Sequence, residues 1–147
     1  MSNFYSFKQS RFYLALVEES LTKIRPSLSD GITQVEHIMP QTPTRTWKEE
    51  FGADDEKYEQ YVNSIGNLTL IRHNSELGNK PFAEKKKMYS ENESLQIART
   101  MIVDKSRWDV AAIEARADWI IKYLLDKVLP IPVKMRAARN FVIKAFS

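Results

Sequence analysis

The sequence predicts an α+β domain that is mostly helical and contains one short pair of strands. Apolar residues recur at helical spacing near both ends of the chain, whereas segments 31–39 and 67–71 are short and carry β-branched residues. A length of 147 residues, with 43% hydrophobic and 28% charged residues, is typical of one globular domain. We therefore expect residues 1–147 to form a single domain.

The N-terminal third is expected to hold a helix and the first strand. Four apolar residues separated by three or four positions predict a helix over about residues 7–24, which Arg25 and Pro26 end. These residues are Leu14, Val17, Leu21 and Ile24. The segment 31–39 is bounded by an Asp-Gly pair and Pro40 and is too short for a typical helix, so we interpret it as a strand.

The middle of the chain predicts a long connection, a second strand and a helix. Residues 41–63 are acidic and carry apolar anchors, which predicts an elaborated loop with one or two short helices. The segment 67–71 is the second strand candidate. Pro81 then marks the start of a lysine-rich helix that runs through Tyr89.

The last third is expected to be helical over residues 91–129 and to end in a basic tail, 130–147. A helix is predicted from Ser94 to Asp104, and Ser106 with Asp109 three residues later resembles a capping box. The longest predicted helix follows, because an apolar stripe at helical spacing continues nearly to the end of this segment.

The composition excludes several kinds of chemistry. Without cysteine there can be no disulfide bond, thiol nucleophile or cysteine-ligated zinc site, and two histidines are too few for multi-histidine metal chemistry. No segment has the roughly 18 apolar residues that a membrane span needs. The N-terminus lacks the apolar stretch of a signal peptide. We therefore expect a cytoplasmic location without a membrane partner.

The net charge of +3 is unevenly distributed along the chain. Residues 64–90 carry five basic and two acidic residues, and residues 130–147 carry four basic and no acidic ones. Either block could bind phosphate, but a solvated lysine-rich face has the same composition.

One segment brings together groups suited to phosphodiester hydrolysis. Glu36 and His37 end the first strand, and Asn67 begins the second. The loop that follows contributes Asn74 and Asn79. This hydrolysis needs a base that activates water, a hard cation that neutralises charge, and oxygen ligands that hold the cation. Taken singly, each of these residues also has an ordinary structural explanation, such as a turn or a helix cap.

Three sequence segments together resemble a known nuclease motif. They are VEHIMPQT, IGNLTLI and NSELGNKPFAEKK, in this order. They resemble the HNH motif in the C-terminal domain of GmrSD-type restriction endonucleases, a cysteine-free branch of the His-Me finger nucleases. The resemblance is specific over residues 35–85 and weaker over the rest of the chain. It implies a ββα-metal finger with a helix before it and a helical segment after it.

The resemblance also implies a function, a metal-dependent endonuclease that hydrolyses DNA by a one-metal mechanism. Its setting would be the restriction of foreign or modified DNA. In this family the domain usually follows an N-terminal nucleotide-hydrolysing domain, and nothing in this chain resembles that domain. Two alternatives stay open: such a domain exists as another part of a longer protein or as a partner subunit, or the chain is a stand-alone nuclease.

Residue roles are carried over by position. The resemblance makes His37 the general base and Glu36 a ligand of Mg²⁺ or Mn²⁺, with no zinc expected. It makes Asn67 the residue whose side-chain amide orders the loop that carries the histidine. Asn74 is implied as the second metal ligand, with Asn79 as the alternative. The residues implied to contact DNA phosphates are Lys80, Lys85, Lys86 and Lys87.

Two other functions stay open from the sequence. A DNA-binding module could keep the HNH fold but lack turnover, and a helical interaction domain could match the motif by accident. Cleavage of DNA, salt-sensitive binding without cleavage, and no binding at all would distinguish the three.

Overall fold

Two short antiparallel strands form a small sheet that is flanked by helices. Strand β1 (Gln34–His37) pairs with β2 (Leu68–Ile71), so that His37 lies opposite Leu68. The computed structural model describes residues 3, 5, 9–72, 77–91, 93–129 and 144. The α-helices within these residues are α1 (Ser10–Thr22), α2 (Arg45–Phe51), α3 (Asp55–Val62), α4 (Phe82–Glu91) and α5 (Val110–Tyr123). The predicted fold class, α+β and mostly helical, is confirmed.

The long connection between the strands forms two helices, one of the two predicted possibilities. Thr44 caps α2 by accepting a hydrogen bond from the backbone N–H of Trp47. Asp54 caps α3 in the same way, from the N–H of Lys57. A 3₁₀ turn (Ile65–Asn67) then leads into β2. The two strands are therefore joined by a structured insert rather than by a tight turn.

Helix α5 supports the start of β2. A Cβ atom on Gly66 would lie 2.0 Å from the carbonyl oxygen of Ile113, so only glycine fits this contact. Arg116 on α5 is fully buried and donates to the carbonyl oxygens of Gly66 at 2.9 Å and Leu68 at 2.6 Å. Burial lowers the pKa of Arg116 to about 9, and the side chain still carries its charge at neutral pH. The helix thus holds the backbone where the second strand begins.

Helix α1 ends earlier than predicted. Leu14 and Val17 are fully buried, as the periodicity predicts. The helix ends at Thr22 because Lys23 adopts a left-handed conformation with φ of 64°. Ile24 therefore lies beyond the helix and is 72% exposed, and its prediction as part of the buried stripe is wrong.

The predicted helix from Ser94 to Asp104 is also wrong. A short 3₁₀ turn (Gln96–Ala98) forms and is followed by non-helical turns, with Met101 at φ of 62°. The buried carboxylate of Glu18 on α1 accepts hydrogen bonds from the first two N–H groups of the 3₁₀ turn, at 3.0 and 2.7 Å. The backbone of this segment is thus bound by a residue of a distant helix. Local periodicity does not reveal such a partner.

The C-terminal helix is confirmed, but its cap differs from the predicted one. Asp109 is the N-cap residue of α5 and accepts a hydrogen bond from the N–H of Ala112 at 3.0 Å, so the predicted cap at Ser106 is wrong. A π-helical turn (Leu124–Val128) continues the helix. Apart from Lys144, the predicted basic tail lies outside the described residues. Within the described part, no helix has the length and apolar character needed to cross a membrane.

Candidate active site at the strand end

His37 is held at the end of β1 by residues from outside the sheet. Its Nε2 atom lies 2.9 Å from Oδ1 of Asn63, and the ring of Tyr5 packs edge-on against it with centroids 4.6 Å apart. Because an amide oxygen only accepts hydrogen bonds, Nε2 carries the proton in this arrangement. The neutral ring therefore has Nδ1 as its proton-accepting nitrogen.

The surroundings of His37 favour the neutral ring. Burial lowers its pKa below the ordinary value of 6.5, and the positive charge of Lys85 acts in the same direction. The hydrogen bond with Asn63 opposes this shift of the pKa. A neutral imidazole is the form that can accept a proton near neutral pH.

Asn67 organises the turn that follows His37. Its Oδ1 accepts hydrogen bonds from the N–H of Met39 at 2.8 Å and from Nε1 of Trp108 at 2.9 Å. Its Nδ2 donates to the carbonyl oxygens of Met39 at 2.9 Å and Val62 at 2.8 Å. The fully buried amide thus makes two bonds through each of its polar atoms. These bonds hold the turn after His37 against Asn67, and the role that the resemblance implies for Asn67 in the site stays a prediction.

Glu36, the neighbour of His37, faces helix α4. Its Oε1 lies 2.6 Å from Nζ of Lys85, and the same ammonium lies 2.8 Å from the carbonyl oxygen of His37. Burial raises the pKa of Glu36 and lowers that of Lys85, and the attraction between the two charges opposes both shifts. The two candidate residues thus have different partners, Lys85 for Glu36 and Asn63 for His37.

The expected phosphate contact of Lys85 is incompatible with this position. Its side chain is fully buried and bound to Glu36 and His37, so it cannot meet a phosphate on the surface. Lys80 pairs with Glu84 at 3.2 Å and Lys87 is exposed. The ammonium of Lys86 donates to the carbonyl oxygen of Lys105 at 2.8 Å. For Lys80, Lys86 and Lys87, contact with phosphate stays a prediction.

The described residues do not fit a divalent cation at Glu36. The carboxylate already has a cationic partner, and no group of three acidic, histidine or cysteine side chains within the described residues could hold a metal ion. Asn79 is exposed, and Asn74 lies outside the described residues. The described residues therefore do not bring the predicted metal ligands together in one site. Binding of Mg²⁺ or Mn²⁺ stays a prediction.

Sequence reasoning misses Asn63 and the true position of Lys85. Asn63 precedes a serine and has the pattern of an ordinary turn residue, and no sequence signal links it to His37. For Lys85 a signal exists, because Phe82, Lys85 and Tyr89 are spaced by three and four residues. All three are buried on the same face of α4.

These features describe an α+β domain in which one imidazole, held at the end of a strand, is the candidate catalytic group. The chain matches the family model of the C-terminal domain of GmrSD restriction endonucleases over residues 2–123. It therefore belongs to this family of restriction-type nuclease domains, for which DNA is the substrate class. A comparison with curated proteins gave no match.

Proposed function

We propose that this chain is an endonuclease domain of the HNH type that cuts DNA, with His37 as the general base. The observation that carries the proposal is the placement of the imidazole. Asn63 binds one ring nitrogen, Asn67 holds the turn that follows, and the ring is left with an acceptor at Nδ1. Family membership supplies DNA as the substrate.

The proposed reaction begins with a water molecule beside Nδ1 of His37. As the water oxygen attacks the phosphorus, its proton passes to Nδ1, and the bond between the phosphorus and the leaving oxygen breaks. Asn63 keeps the ring oriented during this transfer by retaining the hydrogen bond to Nε2. The leaving oxygen takes a proton from a water molecule, and the imidazolium returns its own proton to solvent.

A divalent cation, Mg²⁺ or Mn²⁺, remains part of the proposed function on the strength of the family resemblance. When bound, it would neutralise the charge of the phosphate and of the leaving oxygen. Since Glu36 is already paired with Lys85, the protein ligands would have to come from other residues, and Asn74 and Asn79 are the candidates.

Replacement of the imidazole tests the proposal. We expect His37→Ala to lower the rate of plasmid cleavage by at least about a hundred-fold, the size of effect that general bases have. Added imidazole should restore part of the activity, because it can enter the space of the missing ring and accept the proton. Unchanged circular dichroism would show that the variant is folded. Cleavage at the wild-type rate would exclude His37 as the base.

A DNA-binding module without turnover is the second candidate function. The pairing of the Glu36 carboxylate with Lys85 and the burial of His37 favour it, since both limit access to the site. It predicts that the wild-type chain binds DNA with a strong dependence on salt but cuts none under any cation. A partner domain that hydrolyses nucleotides is compatible with either function.

A further inference from the structure

The ion pair between Glu36 and Lys85 differs from the other ion pairs of the described residues. Its side chains are 8% and 1% exposed. In each of the other pairs at least one side chain is 42% exposed or more. Burying two charges costs about as much free energy as their attraction returns, so stability alone is a weak reason for such a pair.

The ammonium of Lys85 reaches two adjacent residues at the end of β1. It binds the side chain of Glu36 at 2.6 Å and the main-chain carbonyl of His37 at 2.8 Å. Two of its three N–H donors are thus used on the strand that carries the imidazole. The ring of Trp47 lies on another side, with its centroid 6.0 Å from Nζ. The ammonium of Lys85 is thus buried at the end of β1, where its two hydrogen bonds join adjacent residues of the strand.

We propose that Lys85 takes the place of a metal cation beside Glu36 and is a positioning residue that fixes the main chain of His37. The part of this inference that concerns activity rests on the proposed role of His37 as the general base. Glu36 is then the counter-ion of Lys85 rather than a metal ligand. A divalent cation bound to Glu36 in place of the ammonium would leave Lys85 buried without its counter-ion, which is strongly unfavourable.

The first test measures thermal unfolding of the full chain with Glu36→Gln, with Lys85→Met and with both changes. Each single change leaves a buried charged group without its partner, so we expect Lys85→Met to lower the unfolding temperature by roughly 10 °C. The double variant should regain more than half of that loss, because both charges are gone. A loss in the double variant equal to the sum of the single losses would overturn the pairing.

A second test measures binding of Mn²⁺ by calorimetry to the wild type and to Glu36→Gln. We expect the two affinities to agree within about two-fold, or both to be undetectable, because the carboxylate is not a ligand. If Glu36→Gln weakens Mn²⁺ binding by about ten-fold or more, Glu36 is a ligand and the inference fails.

The third test separates positioning from a contact with DNA. We expect Lys85→Met to lower kcat about a hundred-fold with KM for DNA unchanged, because a misplaced base slows the reaction without weakening binding. Lys85→Arg should restore part of kcat, since a guanidinium can donate to both acceptors. The control Lys122→Met removes an exposed lysine from α5 and should change neither constant. A raised KM with unchanged kcat would indicate a phosphate contact instead.

These tests separate the inference from the proposed function. If the wild type cuts no DNA with any cation, the proposed function fails. The unfolding of the double variant and the Mn²⁺ titration still report on the pair, since neither depends on turnover.

Discussion

The side-chain amide of Asn67 holds the turn that follows His37 and has no polar atom left to bind anything else. Its two polar atoms make four hydrogen bonds, and two of these go to the main chain of Met39, two residues beyond His37. The N–H of Ile38 also donates to the main-chain oxygen of Asn67, at 3.0 Å. The turn after the candidate base is therefore tied to the residue that precedes β2.

We expect Asn67→Ala to lower the free energy of unfolding by at least about 3 kcal/mol, because several buried donors and acceptors would lose their partner. Urea denaturation followed by circular dichroism measures this difference. The matched control is Asn79→Ala, which truncates an exposed asparagine and should cost less than about 0.5 kcal/mol. Equal stability of the two variants would show that the hydrogen bonds of Asn67 do not stabilise the fold.

The residues of the site are predictable to different degrees. His37 and Asn67 lie in motif segments with a recognisable order, and the structure connects them through the turn that follows His37. Asn63 could not be predicted, because its partner is 26 positions away and an asparagine before a serine is an ordinary turn residue. The sequence suggests a surface position for Lys85, since three lysines in a row are typical of a solvated face, yet one of the three lies on the buried side of the helix.

At the scale of elements, the close contact between α5 and the turn before β2 determines where the second strand starts. Gly66 touches the backbone of α5, and Arg116 from the same helix binds the carbonyl oxygens on both sides of Asn67. Helix α5, which the sequence predicts from its apolar stripe, therefore also supports the backbone beside the candidate site.

Gly66→Ala should destabilise the fold far more than a glycine-to-alanine change at a position whose Cβ would meet no other atom. Its Cβ would collide with the carbonyl of Ile113, and we expect a loss of about 3 kcal/mol or more in the free energy of unfolding. Gly31→Ala is the control, since no atom lies within 4 Å of its Cβ position. The control has φ of 71°, so it should cost about 1 kcal/mol from backbone strain. Similar losses in urea denaturation would show that α5 yields at this contact.

The elements themselves are predicted best where one periodic face decides the structure. Helices α1 and α5 follow from such faces, with errors at their ends. The strands are predicted instead from their short length and bounding turn residues, and α4 from Pro81 and its lysine-rich composition. The segment from Ser94 to Asp104 has helical spacing but takes another form, because Glu18 caps its 3₁₀ turn and Arg116 binds the carbonyls of Ile97 and Thr100. Both partners are distant in sequence, so a local pattern could not reveal them.

At the scale of the whole molecule, the net charge of +3 is too small to explain DNA binding by itself. Binding would have to come from a local group of cations, and with Lys85 buried the expected group consists of Lys80, Lys86 and Lys87. Lys80 lies just before α4, and Lys86 and Lys87 lie in its middle. The same helix carries Lys85, which binds Glu36. Recognition of the backbone and placement of the base would then depend on one helix.

The triple variant Lys80→Ala, Lys86→Ala and Lys87→Ala should bind DNA more weakly. The slope of log affinity against log salt should become shallower by about 0.9 for each phosphate that is no longer neutralised by a lysine. Fluorescence anisotropy over a range of salt concentrations measures this slope. The control removes the same charge from exposed lysines elsewhere: Lys57, Lys122 and Lys127. An equal change of slope in both variants would mean that overall charge, not α4, governs binding.

The insert between the strands has a consequence for how the domain folds. Val35 and Leu70 pair across a connection that contains two helices, so their meeting cannot be an early, local event. Tyr58 in that connection donates to the carbonyl oxygen of Pro40 at 2.6 Å and so holds α3 against the turn that follows β1. The hydrogen bond between His37 and Asn63 spans the same connection, so we expect it to form only once that connection has folded.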